Sequence, residues 1–193
     1  MKKSILVLLL ALASIVSANA QDKKFTIGLG AGVSFMGQKG TFGDLESKTK
    51  GTGFNFLGNF YYNINPKISV GVEFASAAAI LKEEGEDSNG LDATGIGNYS
   101  LKGKYHFGEN KVRPHVGLGI GMYNIVPATQ GFDSKSAFGV SPEVGLNLGF
   151  FQLAAVYHLI SNVNYDTGLG EDLKVSTSNF EVRGIFNINF GSR

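Results

Sequence analysis

From Phe180 to Phe190 every second side chain is apolar or small: Phe180, Val182, Gly184, Phe186, Ile188 and Phe190, with Glu181, Arg183, Ile185, Asn187 and Asn189 between them. Successive side chains of an extended strand point to opposite faces, so the segment carries one apolar stripe backed by a largely polar one. The pattern recurs. Phe25, Ile27, Leu29, Ala31, Val33 and Phe35 alternate with Thr26, Gly28, Gly30, Gly32 and Ser34, and Phe138 to Leu148 alternates in the same way with Gly139, Ser141, Glu143, Gly145 and Asn147. Five further segments follow it less regularly: 54–64, 68–80, 99–107, 116–122 and 151–159. Helical periodicity is missing after residue 20, so the reading is eight β-strands.

The links between these segments alternate in length. Asn65-Pro66-Lys67, Gly108 to Lys111 and the Gly149-Phe150 junction are tight turns made of turn-forming residues. The other four, about 38–51, 83–93, 129–136 and 164–178, are long and polar. Short turns at one end and long loops at the other describe an all-β, eight-stranded, antiparallel up-and-down transmembrane barrel. An even strand count then puts both termini on the side of the short turns, the periplasmic side.

Two arguments make lipid the solvent. Ten residues at about 3.3 Å rise, tilted near 45°, cover roughly 24 Å, close to the ~25 Å apolar band of outer-membrane barrels. Backbone polar groups cannot go unpaired in hydrocarbon, and closure satisfies every ladder. The competing reading, a soluble barrel such as a periplasmic lipid carrier, would turn glycine-rich faces to water. Glycine, at 27 of 193 residues, fits better inside a narrow barrel, where volume is limiting. Phe25, Tyr62, Phe107, Phe150 and Phe190 at the turn-side rim, with Phe35, Phe54, Phe138 and Phe180 at the other, suit an interfacial girdle, although the chain has no Trp.

Residues 1–20 form a leader: Lys2 and Lys3, an apolar run from Ser4 to Val16, and the small-x-small sequence Ala18-Asn19-Ala20. The run is thirteen residues, short of the roughly 20 that cross a bilayer as a helix. Cleavage would leave 21–193 as one barrel domain beginning at Gln21. The leader carries two lysines and no acids, so the remainder has 15 basic and 16 acidic residues, a net charge of −1. Nothing in that balance points to nucleic acid. Cysteine is absent, which excludes disulfides and thiolate chemistry.

The eight segments, the loop asymmetry, the leader and the ending Phe186-Asn187-Ile188-Asn189-Phe190 resemble the small eight-stranded outer-membrane barrels of the OmpA-transmembrane-domain and OmpX-like superfamily. The chain looks especially like the outer membrane protein β-barrel domain, or porin-family, proteins of Bacteroidota-type bacteria. The resemblance implies residence in the outer membrane of a Gram-negative-type cell. It also implies contact with outer-membrane lipid and lipopolysaccharide, and a terminal strand read by the barrel assembly machinery. Relatives often end on an aromatic residue; here Gly191-Ser192-Arg193 follows Phe190.

The polar faces place Glu73, Lys102, Lys104, His115, Glu143, Glu181 and Arg183 in the lumen. Glu73 and Lys102 fall at similar heights on neighbouring strands, as do His115 and Glu143, so a salt-bridge network filling the barrel is expected. An interior only just wide enough for side chains argues against an open pore. His158 and Ser161 resemble the histidine–serine element of outer-membrane lipid A deacylases. There the two lie two residues apart; here they are three apart and point to opposite faces. Glu83, Glu84, Glu86, Asp87 and Asp92 make an acidic loop without EF-hand spacing, read as solvated rather than as a Ca²⁺ site or a divalent bridge to lipopolysaccharide. Gly117 to Gly121 lacks the helix that a dinucleotide fingerprint requires. The expectation is a non-enzymatic barrel with no catalytic, cofactor or metal site, structural or engaged with an extracellular partner through its four long loops. A narrow channel or a conduit for small apolar molecules is the alternative, and a lipid-modifying enzyme a more distant one.

Overall fold

The computed structural model describes residues 23–43, 45–83, 92–108, 112–126, 134–166 and 172–192. The expected leader, the expected start at Gln21 and residues 84–91 of the expected acidic loop lie outside the described residues. Among the described residues nine strands follow in order: β1 (Phe25–Phe42), β2 (Leu45–Asn63), β3 (Ile68–Glu83), β4 (Asp92–His106), β5 (Arg113–Val126), β6 (Lys135–Asn147), β7 (Phe151–Ile160), β8 (Val163–Asp166) and β9 (Asp172–Phe190). Each of β1 to β7 pairs antiparallel with its sequence neighbour, β7 and β8 both pair with β9, and β9 pairs with β1. The sheet is therefore closed. β7 and β8 together make one stave, so nine strands build an eight-staved barrel.

The register gives the barrel its shape. Starting at Ile27, the Cα partners run through Phe60, Val72, Leu101, Ile120, Val140, Leu159 and Ser178, and return to β1 at Gly37, ten residues along from the start. With a strand spacing of about 4.8 Å and a rise of about 3.3 Å, a stagger of ten over eight staves tilts the strands by ~41° and sets a backbone radius of ~8 Å.

Inside and outside follow the alternation. Thr26, Ser34, Asn55, Asn59, Glu73, Lys102, His115, Glu143 and Arg183 are buried, whereas Leu29, Phe56, Phe74, Leu101, Leu118 and Val144 are exposed by 56–69%. A continuous apolar outer surface of this kind would be a liability in water and is the expected face toward lipid. Two short turns are built by asparagine. The Asn65 carboxamide oxygen accepts from the backbone N–H groups of Lys67 and Ile68, both at 2.8 Å. The Asn147 carboxamide oxygen accepts from Gly149 N–H at 3.1 Å, and Gly149 takes a positive φ of 85° that favours glycine.

Two of the expected loops are strands. Segment 38–51 continues the β1–β2 ladder to Phe42↔Leu45, and much of 164–178 continues the last hairpin to Asp166↔Asp172. At about 2.5 Å of axial rise per residue, the 19 residues of β2 or β9 reach ~47 Å, well beyond a ~25 Å apolar band. The protruding parts are wet on their outer face, so the apolar alternation that marks the lipid-facing part disappears although the ladder does not. The β7–β8 junction is a bulge: Ile160, Ser161 and Asn162 stand between pairs Leu159↔Ser178 and Val163↔Val175, opposite only Ser176 and Thr177.

Candidate functional site

The enclosed side of the sheet carries the polar chemistry. Glu73 on β3 is fully buried, with Oε1 at 2.9 Å from Lys102 Nζ and 2.7 Å from Arg183 Nη1. Lys102, on β4, spans to Glu143 on β6 at 2.8 Å, and Glu143 also receives Lys104 at 2.9 Å and His115 Nε2 at 3.0 Å. On β9, Arg183 Nε lies 2.9 Å from Glu181 Oε2, and Asn179 donates to the other Glu181 oxygen at 2.7 Å. The seven residues of the expected network thus lie in one connected cluster across β3, β4, β5, β6 and β9. Glu73 and Lys102 are not Cα partners, since Glu73 pairs with Ser100; the long lysine stem closes the diagonal. Three carboxylates face Lys102, Lys104 and Arg183, so the formal charges balance, which a low-dielectric interior demands.

The structure adds members that the alternation did not single out. His158, on β7, meets Arg183 Nη2 at 3.1 Å through Nε2 and the Tyr123 hydroxyl at 2.9 Å through Nδ1. Nε2 also lies 3.5 Å from Glu181 Oε2, so a guanidinium donor and a carboxylate acceptor share that nitrogen. Ser34 donates to the Asn179 carboxamide at 2.6 Å, and Gln152 reaches Glu143 at 3.3 Å. Gln152, Ala154, Val156 and His158 share one face of β7, a signal weakened in the sequence because both faces of that segment are mostly apolar.

The interior is not polar throughout: an apolar tier joins the expected polar side chains. Toward the loop end, Met36, Leu81, Ile96, Tyr123, Ile125 and Ile160 form a buried apolar cluster with Val163 and Tyr165 from β8. Ala77, Ala79 and Ala137 complete it. At Met36, Leu81 and Ile160 the outward neighbours Phe35, Ile80 and Leu159 are apolar too, so alternation alone could not tell inside from outside there.

The expected girdle residues fall into two groups, with Phe56, Phe74, Tyr99 and Tyr157 exposed between them. At the turn-side rim, Phe25 packs on Tyr62 and on Phe190, both with ring centroids 5.6 Å apart. Phe107 meets Tyr105 at 5.0 Å, and Phe150 meets Phe186 at 5.6 Å. At the other rim, Phe35 and Phe180 stack at 6.1 Å, and Phe54 and Phe138 are exposed. Ser161 faces outward while His158 faces inward, so the two do not form a pair. Among the described residues no group of three or more His, Cys, Asp or Glu is arranged to hold a metal ion. Gly117, Gly119 and Gly121 lie within strand β5, and of the acidic segment only the strand ends Glu83 and Asp92 are described.

A closed, outward-apolar barrel of eight staves is the architecture of an outer-membrane protein, and the family model for the outer membrane protein beta-barrel domain matches residues 6–186. The chain belongs to that family. Two solved structures show the same fold for this outer-membrane barrel. The outer membrane protein OprG from Pseudomonas aeruginosa is 15% identical, with a TM-score of 0.56, covering 88% of this chain and 99% of its own. Neisserial surface protein A is 12% identical, with a TM-score of 0.55, covering 86% of this chain and 97% of its own. No curated protein matches the sequence.

Proposed function

We propose that this barrel is a non-enzymatic scaffold. It holds its long hairpins and loops outside the cell, keeps its termini in the periplasm, and passes no solute through its lumen. One observation carries the reading. The interior is filled in two tiers, the ion-pair cluster around Glu73, Lys102, Glu143 and Arg183 and the apolar cluster around Met36, Ile96, Tyr123 and Ile125. An eight-staved barrel leaves room for little else. The rigid wall suits the outer ends of β1, β2, β8 and β9 to surface contact, since binding residues are commonly presented on loops held by a stiff frame. Neisserial surface protein A, of the same fold, is by its name a surface protein. Lys39, Lys48 and Lys174 lie beyond the Phe35–Phe180 level, on positions whose register places them on the outer face, where lipopolysaccharide phosphates would meet them.

The test is conductance of the refolded protein in planar bilayers. The expected result is silence under an applied potential. Discrete openings of uniform size would overturn the plugged lumen in favour of a narrow channel. Orientation is tested separately, by surface labelling of intact cells carrying a single cysteine at Thr41 or at Lys67. Only the Thr41 variant is expected to react.

A further inference from the structure

The turn-side mouth of the lumen holds a cavity of about 40 Å³. Lys104, His106 and Arg113 stand in its wall, and the rest of the lining is amide, hydroxyl and ring, including Tyr61, Asn147 and Asn189. Among the described residues no carboxylate lines it, and none lies on the turn side of Glu143. Glu143 is itself matched by Lys102 and Lys104. Lys23, Lys24 and Lys67 add positive charge at the same end. Among the described residues the charged groups of the mouth are therefore cationic, set among amides and hydroxyls, an arrangement that raises the local concentration of anions.

Polar atoms in this wall lack partners. The Tyr61 hydroxyl and His106 Nδ1 are buried without a hydrogen bond, on residues 4% and 6% exposed. Such groups cost free energy unless something fills the site. Lys104 Nζ, 4.5 Å above the Tyr61 ring, contacts Glu143 but has three N–H donors to give. Arg113 is anchored at the rim by one donor, Nη1 to the Pro66 carbonyl at 2.9 Å, and a guanidinium has five. Size narrows the occupant. With about 10–15 Å³ per water by this measure, the cavity accepts roughly three waters or one tetrahedral oxyanion, and a sugar ring is too large. A cation would face Lys104 and Arg113 directly.

We propose that this mouth is a binding site for a compact inorganic oxyanion of the phosphate or sulfate class, reached from the side of the short turns. The test is calorimetric titration of the folded full chain, in a non-ionic detergent, with inorganic phosphate and with sulfate. Saturable binding with a dissociation constant of about 1 mM or tighter is expected. Arg113→Gln should weaken it by about tenfold. Asn147→Asp should weaken it at least as much, because an aspartate keeps the turn acceptor for Gly149 N–H while placing a negative charge in the wall. Lys135→Gln, at the far end, should leave it unchanged. A gel shift on boiling checks that each variant is folded. Absence of saturable binding to the unaltered protein would overturn the proposal, leaving only water in the cavity. So would binding that both wall variants leave intact, or phosphate displaced by vesicles containing phosphatidylglycerol, which would make the ligand a lipid headgroup.

Discussion

Glu73 contacts both Lys102 and Arg183 at full burial, so its charge cannot be removed without leaving two cations short of a partner. Breaking a buried pair from one side typically costs about 3–5 kcal/mol. Glu73→Gln should lower the stability of the folded barrel by about that amount, measured by urea unfolding in phospholipid vesicles. A loss below about 1 kcal/mol would mean that the cluster is screened like a surface pair. Glycine offers a contrast at the same scale. A Cβ added at Gly53 would lie 1.8 Å from the Ala78 carbonyl oxygen, whereas one at Gly97 meets nothing within 4 Å. Gly53→Ala is expected to destabilise by about 1–3 kcal/mol. Gly97→Ala should be neutral in the same unfolding assay.

At the scale of the strand, one stave crosses two solvents. β5 runs outward-facing Val116, Leu118, Ile120 and Met122 between Tyr105 at one rim and Phe138 at the other, the register partners of Val116 and Met122. Leu118 is thus near the middle of the apolar band. Leu118→Arg should cost about 2–4 kcal/mol, the usual penalty for arginine at the bilayer midplane. Thr41→Arg, on the protruding end of β1, should cost less than about 0.5 kcal/mol, as for an ordinary surface position. Equal losses at the two positions would show that β1 does not leave the membrane. The β7–β8 bulge is the second device at this scale. By adding one residue it moves the inward parity from His158 and Ile160 to Val163 and Tyr165, so the stave keeps its apolar side inside after the break.

The whole molecule is closed around its circumference and filled along its axis. Every stave is paired on both sides over the membrane-spanning part, so opening requires the loss of a whole ladder between neighbouring strands. The folded form should survive detergent at room temperature and migrate differently on a gel before and after boiling. It should also sediment with outer membranes. Identical migration with and without heating would contradict a closed barrel.

The period-two alternation by itself determined the strand class, the eight staves, the position of the short turns and the parity of Glu73, Lys102, Lys104, His115, Glu143, Glu181 and Arg183. It could do so because a strand between lipid and lumen must differ on its two faces. Where that difference lapses, the sequence is silent. Beyond the membrane the polar stretches of β1, β2 and β9 read as loops although their ladders continue. At the loop end of the lumen, Ala77, Leu81, Ile96 and Ile125 are apolar on an inward face that meets apolar neighbours rather than charges. The ten-residue stagger, the bulge after Leu159, and the company His158 keeps with Arg183 and Tyr123 were decided only in three dimensions. Each depends on which strands lie side by side at which height, a property of the closed sheet and not of any one segment.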